Sequence, residues 1–170
     1  MMSKYYTNLN LPPLDDQFIS EALNRKFELI HEPSILICAS TTFHTTDFFK
    51  TIASKFRCGT RYFLNPPHTI YDWHTDNKRS CAINWVIKTN KNCLTLYREA
   101  IPEAIPEINK RVVLYNVEEV VYNLYKPTLI DTTHEHCVIN NSDESRIILS
   151  LTIWDTTYDE ALFFLKNLNV

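Results

Sequence analysis

The side chains able to do chemistry in this sequence are few, and their spacing narrows what that chemistry is. There are six histidines: His31, His44, His68, His74, His134 and His136. His74-Thr75-Asp76 sets an imidazole and a carboxylate two residues apart, so on a strand both point to the same side. A chain with six His and twenty acidic residues holds roughly 0.7 such pairs by accident, so the pair alone also fits a surface His beside a solvated Asp. His134-Glu135-His136 lies about sixty residues further on. Adding one of its imidazoles to His74 and Asp76 makes two nitrogens and one carboxylate. On one face of an octahedron that set leaves three positions open, which suits ferrous iron with a bidentate co-substrate and dioxygen. Zinc would instead want a closed tetrahedral set or a water-activating site.

Arg146 follows His136 by ten residues and heads the run Ile147-Ile148-Leu149-Ser150-Leu151-Thr152-Ile153-Trp154. An Arg there is either a rim residue paired with a neighbour or, facing inward, a clamp whose planar fork gives a carboxylate two parallel hydrogen bonds. Asn84 sits inside another apolar run, on the same side as Ala82 and Val86. If buried it needs a partner, and a bound co-substrate is one candidate. Tyr71, Trp73 and Arg79 flank the HxD motif and read as substrate contacts or as exposed loop residues. His31, His44 and His68 read as ordinary surface or core histidines.

The elements that must hold these groups change character along the chain. Pro12 and Pro13 precede the capping residues Asp15 and Asp16, and Phe18, Ile19, Ala22, Leu23, Phe27 and Ile30 recur at helical spacing. After a short β-like run, Ile35–Cys38, a second helix is expected from Thr46 with Phe48, Phe49, Ile52, Ala53 and Phe56 on one stripe, and Gly59 suits its C-terminal end. From Thr60 short β-branched and aromatic runs dominate: Tyr62–Leu64, Cys81–Ile87, Leu94–Tyr97, Val112–Tyr115, Val120–Tyr125, Thr128–Asp131, Cys137–Ile139 and Ile147–Trp154. Breaks fall at Pro66-Pro67, Thr89–Asn92, Pro102–Pro106, Pro127 and Asn140–Glu144. Strands at this spacing suggest a sandwich, jelly roll or barrel. Thr157-x-x-Glu160 is a capping box for a short last helix. The expectation is a single α+β domain over 1–170, helical over about 14–58 and a double-sheet roll over about 60–154.

Composition removes several function classes. The chain of 170 residues carries 17 Lys and Arg against 20 Asp and Glu, a net charge of −3, so there is no strong nucleic-acid signal, although a local basic groove survives this test. No apolar run is long enough to span a membrane, and the N-terminus has no signal pattern. Five widely spaced cysteines make neither a disulfide framework nor a CxxC zinc site and fit a reducing cytoplasm. There is one glycine, where about twelve is average. A Walker loop, a GxGxxG turn and a GxSxG elbow are all impossible.

Taken together, HTD, the later H-C-V-I-N and the Arg ten residues beyond resemble the 2-oxoglutarate and Fe(II)-dependent oxygenases. The pattern is closest to small stand-alone members related to prolyl hydroxylases and to aspartyl/asparaginyl β-hydroxylase-like proteins. The likeness covers about 60–154, and its most specific part is the order HxD, His, Arg. It implies a double-stranded β-helix, or jelly roll, braced by the preceding helices. It implies Fe(II) on His74, Asp76 and His136, with His136 preferred over His134 because Val138 and Asn140 complete the H-x-V-x-N wording. It further implies that Arg146 takes the distal carboxylate of 2-oxoglutarate and that Tyr62 is an additional co-substrate contact, beside Asn84, which its place in an apolar run suggests. The expected reaction uses O2 and hydroxylates a C–H bond of a small molecule or peptide side chain, releasing succinate and CO2. His134 is left as a neighbour of the site. Asp76 departs from aspartyl β-hydroxylases that lack the ligand carboxylate and favours the prolyl-hydroxylase-like side. The alternatives are a non-catalytic jelly roll and a metal cupin that does not use 2-oxoglutarate; a cupin has no need of Arg146 as a carboxylate clamp.

Overall fold

The computed structural model describes residues 3–32, 35–40, 46–76, 79–101 and 114–168. After a short strand β1 (Tyr6–Asn8), helix α1 (Asp16–Asn24) presents Phe18 and Ala22 to the core. The helix ends earlier than its apolar spacing suggests. Arg25 is already extended, and Phe27 and Ile30 fall outside the helix, Ile30 within strand β2 (Glu28–Glu32), which pairs with β3 (Ile35–Ala39). Pairing with β3 outweighs continued helical periodicity there, so the 14–58 region holds two strands beside its two helices. Thr46 caps α2 (Asp47–Lys55) by accepting a hydrogen bond from the Phe49 N–H, satisfying one orphan donor of the first turn.

Gly59 does not end that helix. It lies within β4 (Cys58–Asn65), where a Cβ would stand 2.9 Å from the Trp154 indole. The glycine is there for close approach, not for a left-handed cap. The motif His74 closes a strand of its own, β5 (Thr69–His74), and β6 (Cys81–Lys88) and β7 (Cys93–Ala100) follow. Strand β8 (Tyr115–Glu119) falls between the two runs expected there, and Val120–Tyr125 is an irregular connection touching the sheet at Leu124↔Val86. His44, the Pro102–Pro106 break and the start of the Val112–Tyr115 run lie outside the described residues. The chain continues with β9 (Pro127–Asp131), β10 (His136–Asn140) and β11 (Arg146–Ile153). It closes with α3 (Tyr158–Lys166), opened by the expected capping box of Thr157 and Glu160.

Two antiparallel sheets result. The larger has the order β1-β9-β6-β11-β4-β3-β2 and the smaller β5-β10-β7-β8. Alternation along β11 divides the layers: Leu149, Leu151 and Ile153 join Phe18, Phe49, Ile52, Ala161 and Leu165 in the main apolar core. The helices therefore cover one face of the larger sheet, burying the apolar area that drives folding. Ile148 and Ser150 turn the other way and line a pocket together with Tyr71, His74, His136 and Val138 of the smaller sheet. The molecule is a double-stranded β-helix with bracing helices. Among the described residues no helix is long and apolar enough to cross a membrane, and all five cysteines are free thiols. Burial pushes Cys81 up to about 12 and Cys137 up to about 11.

Candidate metal centre and anion pocket

The two motif histidines come together because β5 and β10 are antiparallel neighbours with His74 opposite His136. Their rings lie 4.3 Å apart between centroids. Asp76 is brought in by its own backbone, whose N–H donates to the Thr132 carbonyl at 2.9 Å. Donor atoms of His74, Asp76 and His136 all lie within 4.8 Å of one another, and each Nε2 is 3.9 Å from an Asp76 carboxylate oxygen.

Hydrogen bonding presets the ligand atoms. His74 Nδ1 donates to the Asp72 carbonyl at 2.6 Å and His136 Nδ1 to the His134 carbonyl at 2.9 Å. A carbonyl can only accept, so in each neutral ring the lone pair sits on Nε2, facing the cluster. Burial lowers the pKa of His136, and the neighbouring His74 adds to the lowering, which keeps the ring in its ligating form. Arg79 completes the surround: Nε donates to Asp76 at 2.6 Å and Nη1 to Thr152 Oγ1 at 3.1 Å. That contact orients the carboxylate: Oδ2, held by Arg79, is the oxygen nearest His136, and Oδ1 is the one nearest His74.

His134 is not part of the cluster. Its Nδ1 is 3.2 Å from Asp131, and its ring meets the edge of Tyr5. His68 pairs with Asp143 at the surface.

Behind the triad the pocket measures about 690 Å³, its open mouth included. Arg146 enters it from the first position of β11, opposite Asn65, and is only 1 % exposed. Its guanidinium lies 5.2 Å from the Tyr122 ring centroid, and among the described residues it forms no ion pair. Arg146 Nε and Nη1, Asn84 Oδ1 and Thr95 Oγ1 are buried without a hydrogen-bond partner, and all three residues line this pocket. Asn84 Nδ2 donates to the Tyr122 hydroxyl at 3.4 Å. Buried polar atoms are normally paired, so the concentration of orphans in one cavity marks a place built for a polar guest.

Tyr62 is not brought to the pocket. Alternation on β4 turns it to the helices, where its hydroxyl donates to the Phe18 carbonyl at 3.1 Å and to Glu21 at 2.7 Å, and burial raises its pKa. Its role is to tie α1 to the sheet, which corrects the co-substrate contact expected of it. Tyr122, beside the guanidinium, and Thr95, which lines the same pocket, carry no signal of this in the sequence. Thr95 alternates with Leu94 and Leu96 as any strand residue does, and only the register that sets it opposite Val138 shows that it faces the cavity.

No family model matches the sequence, and no curated protein matches it. Solved structures do. The fold is similar to that of HygX from Streptomyces hygroscopicus, whose structure holds nickel, 2-oxoglutarate and hygromycin B: 9 % identity, 83 % of this chain and 78 % of that one, TM-score 0.57. It is also similar to SnoK, a non-haem α-ketoglutarate-dependent carbocyclase from nogalamycin biosynthesis, at 10 % identity over 88 % of this chain and 80 % of that one, TM-score 0.53. SnoN, an epimerase from the same biosynthesis, matches at 11 % identity over 88 % and 78 %, TM-score 0.53. The chain thus has the fold of the 2-oxoglutarate-dependent non-haem oxygenases, the class that the sequence motifs resemble.

Proposed function

We propose that this protein is a non-haem Fe(II) and 2-oxoglutarate-dependent oxygenase that hydroxylates a C–H bond of its substrate, with release of succinate and CO2. The observation that carries the reading is the buried, unpaired guanidinium of Arg146 in the same cavity as His74, Asp76 and His136. A cation withdrawn from water without a counter-charge is costly, and a dicarboxylate that reaches from the triad to Arg146 removes that cost.

The residues present fit both groups. Two neutral imidazoles and one carboxylate make the facial set that suits Fe(II) and leaves open positions. When bound, the iron and 2-oxoglutarate supply the oxidative decarboxylation that couples dioxygen to C–H oxidation. The chain's own contribution is placement. His74 and His136 present Nε2, Asp76 is held by Arg79, Arg146 takes the distal carboxylate, and Asn84 and Thr95 offer hydrogen bonds along the way. Phe63, Ile148, Ile130 and Val138 make the walls apolar and keep water out, which strengthens every charge interaction inside. A metal cupin using no 2-oxoglutarate would leave Arg146 unexplained.

Anaerobic titration with Fe(II) and 2-oxoglutarate tests the reading by the weak visible metal-to-ligand charge-transfer band. The band is expected with 2-oxoglutarate. Its absence in folded, metal-loaded protein would overturn the proposal in favour of a non-catalytic roll.

A further inference from the structure

Arg146 is buried in the pocket and Arg79 also lines it; a third arginine, Arg61, lies on the strand face that continues from it. Strand β4 pairs with β11 from Arg146↔Asn65 to Ile153↔Cys58 without a shift, so alternation is strict along it. Phe63 and Asn65 line the pocket, and Arg61 and Gly59 therefore share their face. Arg61 is opposite Ser150, another lining residue. It is exposed, and among the described residues no carboxylate pairs with it.

Arg79 reaches the same patch from the other side. Its guanidinium lies 5.6 Å from the Phe63 ring centroid and bonds Thr152 Oγ1. Phe63 is the same-face neighbour of Arg61, and Thr152 stands opposite Gly59, diagonal to Arg61. Both arginines therefore flank one spot beside the triad. Past it, the absence of a side chain at Gly59 lets the Trp154 indole lie against the sheet, with the Arg57 guanidinium 5.6 Å from the ring centroid. The nearby carboxylates are engaged: Asp76 by Arg79, and Asp155 by the Arg57 backbone N–H. A locally basic mouth on a chain of net charge −3 is a specific feature, because the overall charge gives it no reason to be positive.

From this geometry we infer that the substrate carries an oxyanion, a carboxylate or a phosphate, and that Arg61 with the remaining N–H groups of Arg79 binds it beside the metal triad. The word substrate rests on the oxygenase reading; the anion site itself does not. With a divalent metal and dianionic 2-oxoglutarate in place, Asp76 and the co-substrate carry one charge fewer than the metal, Arg79 and Arg146. Arg61 adds another positive charge, so the loaded site still attracts an anion. The two forks offer the charge-assisted, bidentate donors that carboxylate and phosphate accept best.

The test is calorimetric titration of nickel- and 2-oxoglutarate-loaded protein, and of the apoprotein, with phenylacetate, phenyl phosphate and the neutral phenylacetamide. At least one of the two anions is expected to bind about tenfold tighter than the amide, the worth of one charge-assisted contact. R61A should bring the three within twofold, and R61K should retain part of the preference, because it keeps the charge and loses the fork. Whichever anion wins identifies the group recognised. Because Arg61 is exposed, R61A should remain folded, and circular dichroism checks that. Anions that bind no tighter than the amide, or a preference that survives R61A, would overturn the inference. The two readings fail separately. An Arg61-dependent preference in protein that does not bind 2-oxoglutarate keeps the anion site and removes the oxygenase. Normal 2-oxoglutarate binding without the preference does the reverse.

Discussion

Replacing Arg146 by Met is expected to make the ligand-free protein more stable and the co-substrate complex much weaker, two effects of opposite sign from one substitution. Arg146 is 1 % exposed, and neither Nε nor Nη1 has a hydrogen-bond partner. Methionine roughly preserves the volume against Tyr122 and removes the uncompensated charge. Replacing buried charges by apolar groups of similar size gains up to about 1–4 kcal/mol. Truncating one member of a desolvated charge pair costs about 2–5 kcal/mol of binding, roughly thirty- to several-thousand-fold in affinity. In wild type, 2-oxoglutarate at a hundred times its Kd should add about 2.7 kcal/mol, which for a chain of this size raises Tm by roughly 5–11 °C. Thermal unfolding of nickel-loaded protein with and without 2-oxoglutarate reads both effects, and calorimetry gives the affinity. Arg146→Met should melt higher than wild type without ligand and gain at most about a third of the wild-type shift from 2-oxoglutarate at the same concentration. Pyruvate, which lacks the distal carboxylate, should hardly shift the wild type. An Arg146→Met protein that melts lower without ligand yet keeps the full 2-oxoglutarate shift would refute the argument, because the guanidinium would then be a structural group.

Two further outcomes separate residues that the chain places close together. His74→Ala or His136→Ala should abolish stoichiometric binding of Fe(II) or nickel, whereas His134→Ala, paired with Asp131 outside the cluster, should retain most of it; calorimetry with the metal alone decides, and the opposite pattern would exchange the two histidines. Tyr62→Phe removes hydrogen bonds to the Phe18 carbonyl and Glu21 and should cost about 1 kcal/mol in urea unfolding, while 2-oxoglutarate affinity stays at the wild-type value; a selective loss of that affinity would return Tyr62 to the pocket.

The sequence carried the parts of this protein that depend on neighbours along the chain. Helix starts at Asp47 and Tyr158 follow from local capping by Thr46 and Thr157, most completely in the Thr157–Glu160 box, and the start at Asp16 follows the Pro12-Pro13 break, with no capping bond from Asp15. Strand runs such as Cys81–Lys88 and Arg146–Ile153 show in their β-branched and apolar composition, and the side that Asn84 shares with Ala82 and Val86 follows from simple alternation. The spacing of His74, Asp76, His136 and Arg146 is likewise a linear pattern, and it singled out the residues that the fold gathers.

What the tertiary structure decided is everything set by pairing between distant segments. The apolar spacing through Ile30 reads as helix until β3 offers a partner, because backbone hydrogen bonding to another strand is not encoded in local periodicity. Gly59 resembles a helix cap until Trp154, far along the chain, comes down on it. Tyr62 and Phe63 are adjacent, and only the side on which α1 packs determines that Tyr62 braces a helix while Phe63 lines the pocket. A strand's pattern states that two faces differ; which face meets the metal is settled by what the opposite sheet and the helices bury. The same holds for charge: Arg61 and Arg146 are two arginines in sequence, and only the tertiary structure leaves Arg61 exposed opposite Ser150 while it buries Arg146 in the pocket opposite Asn65.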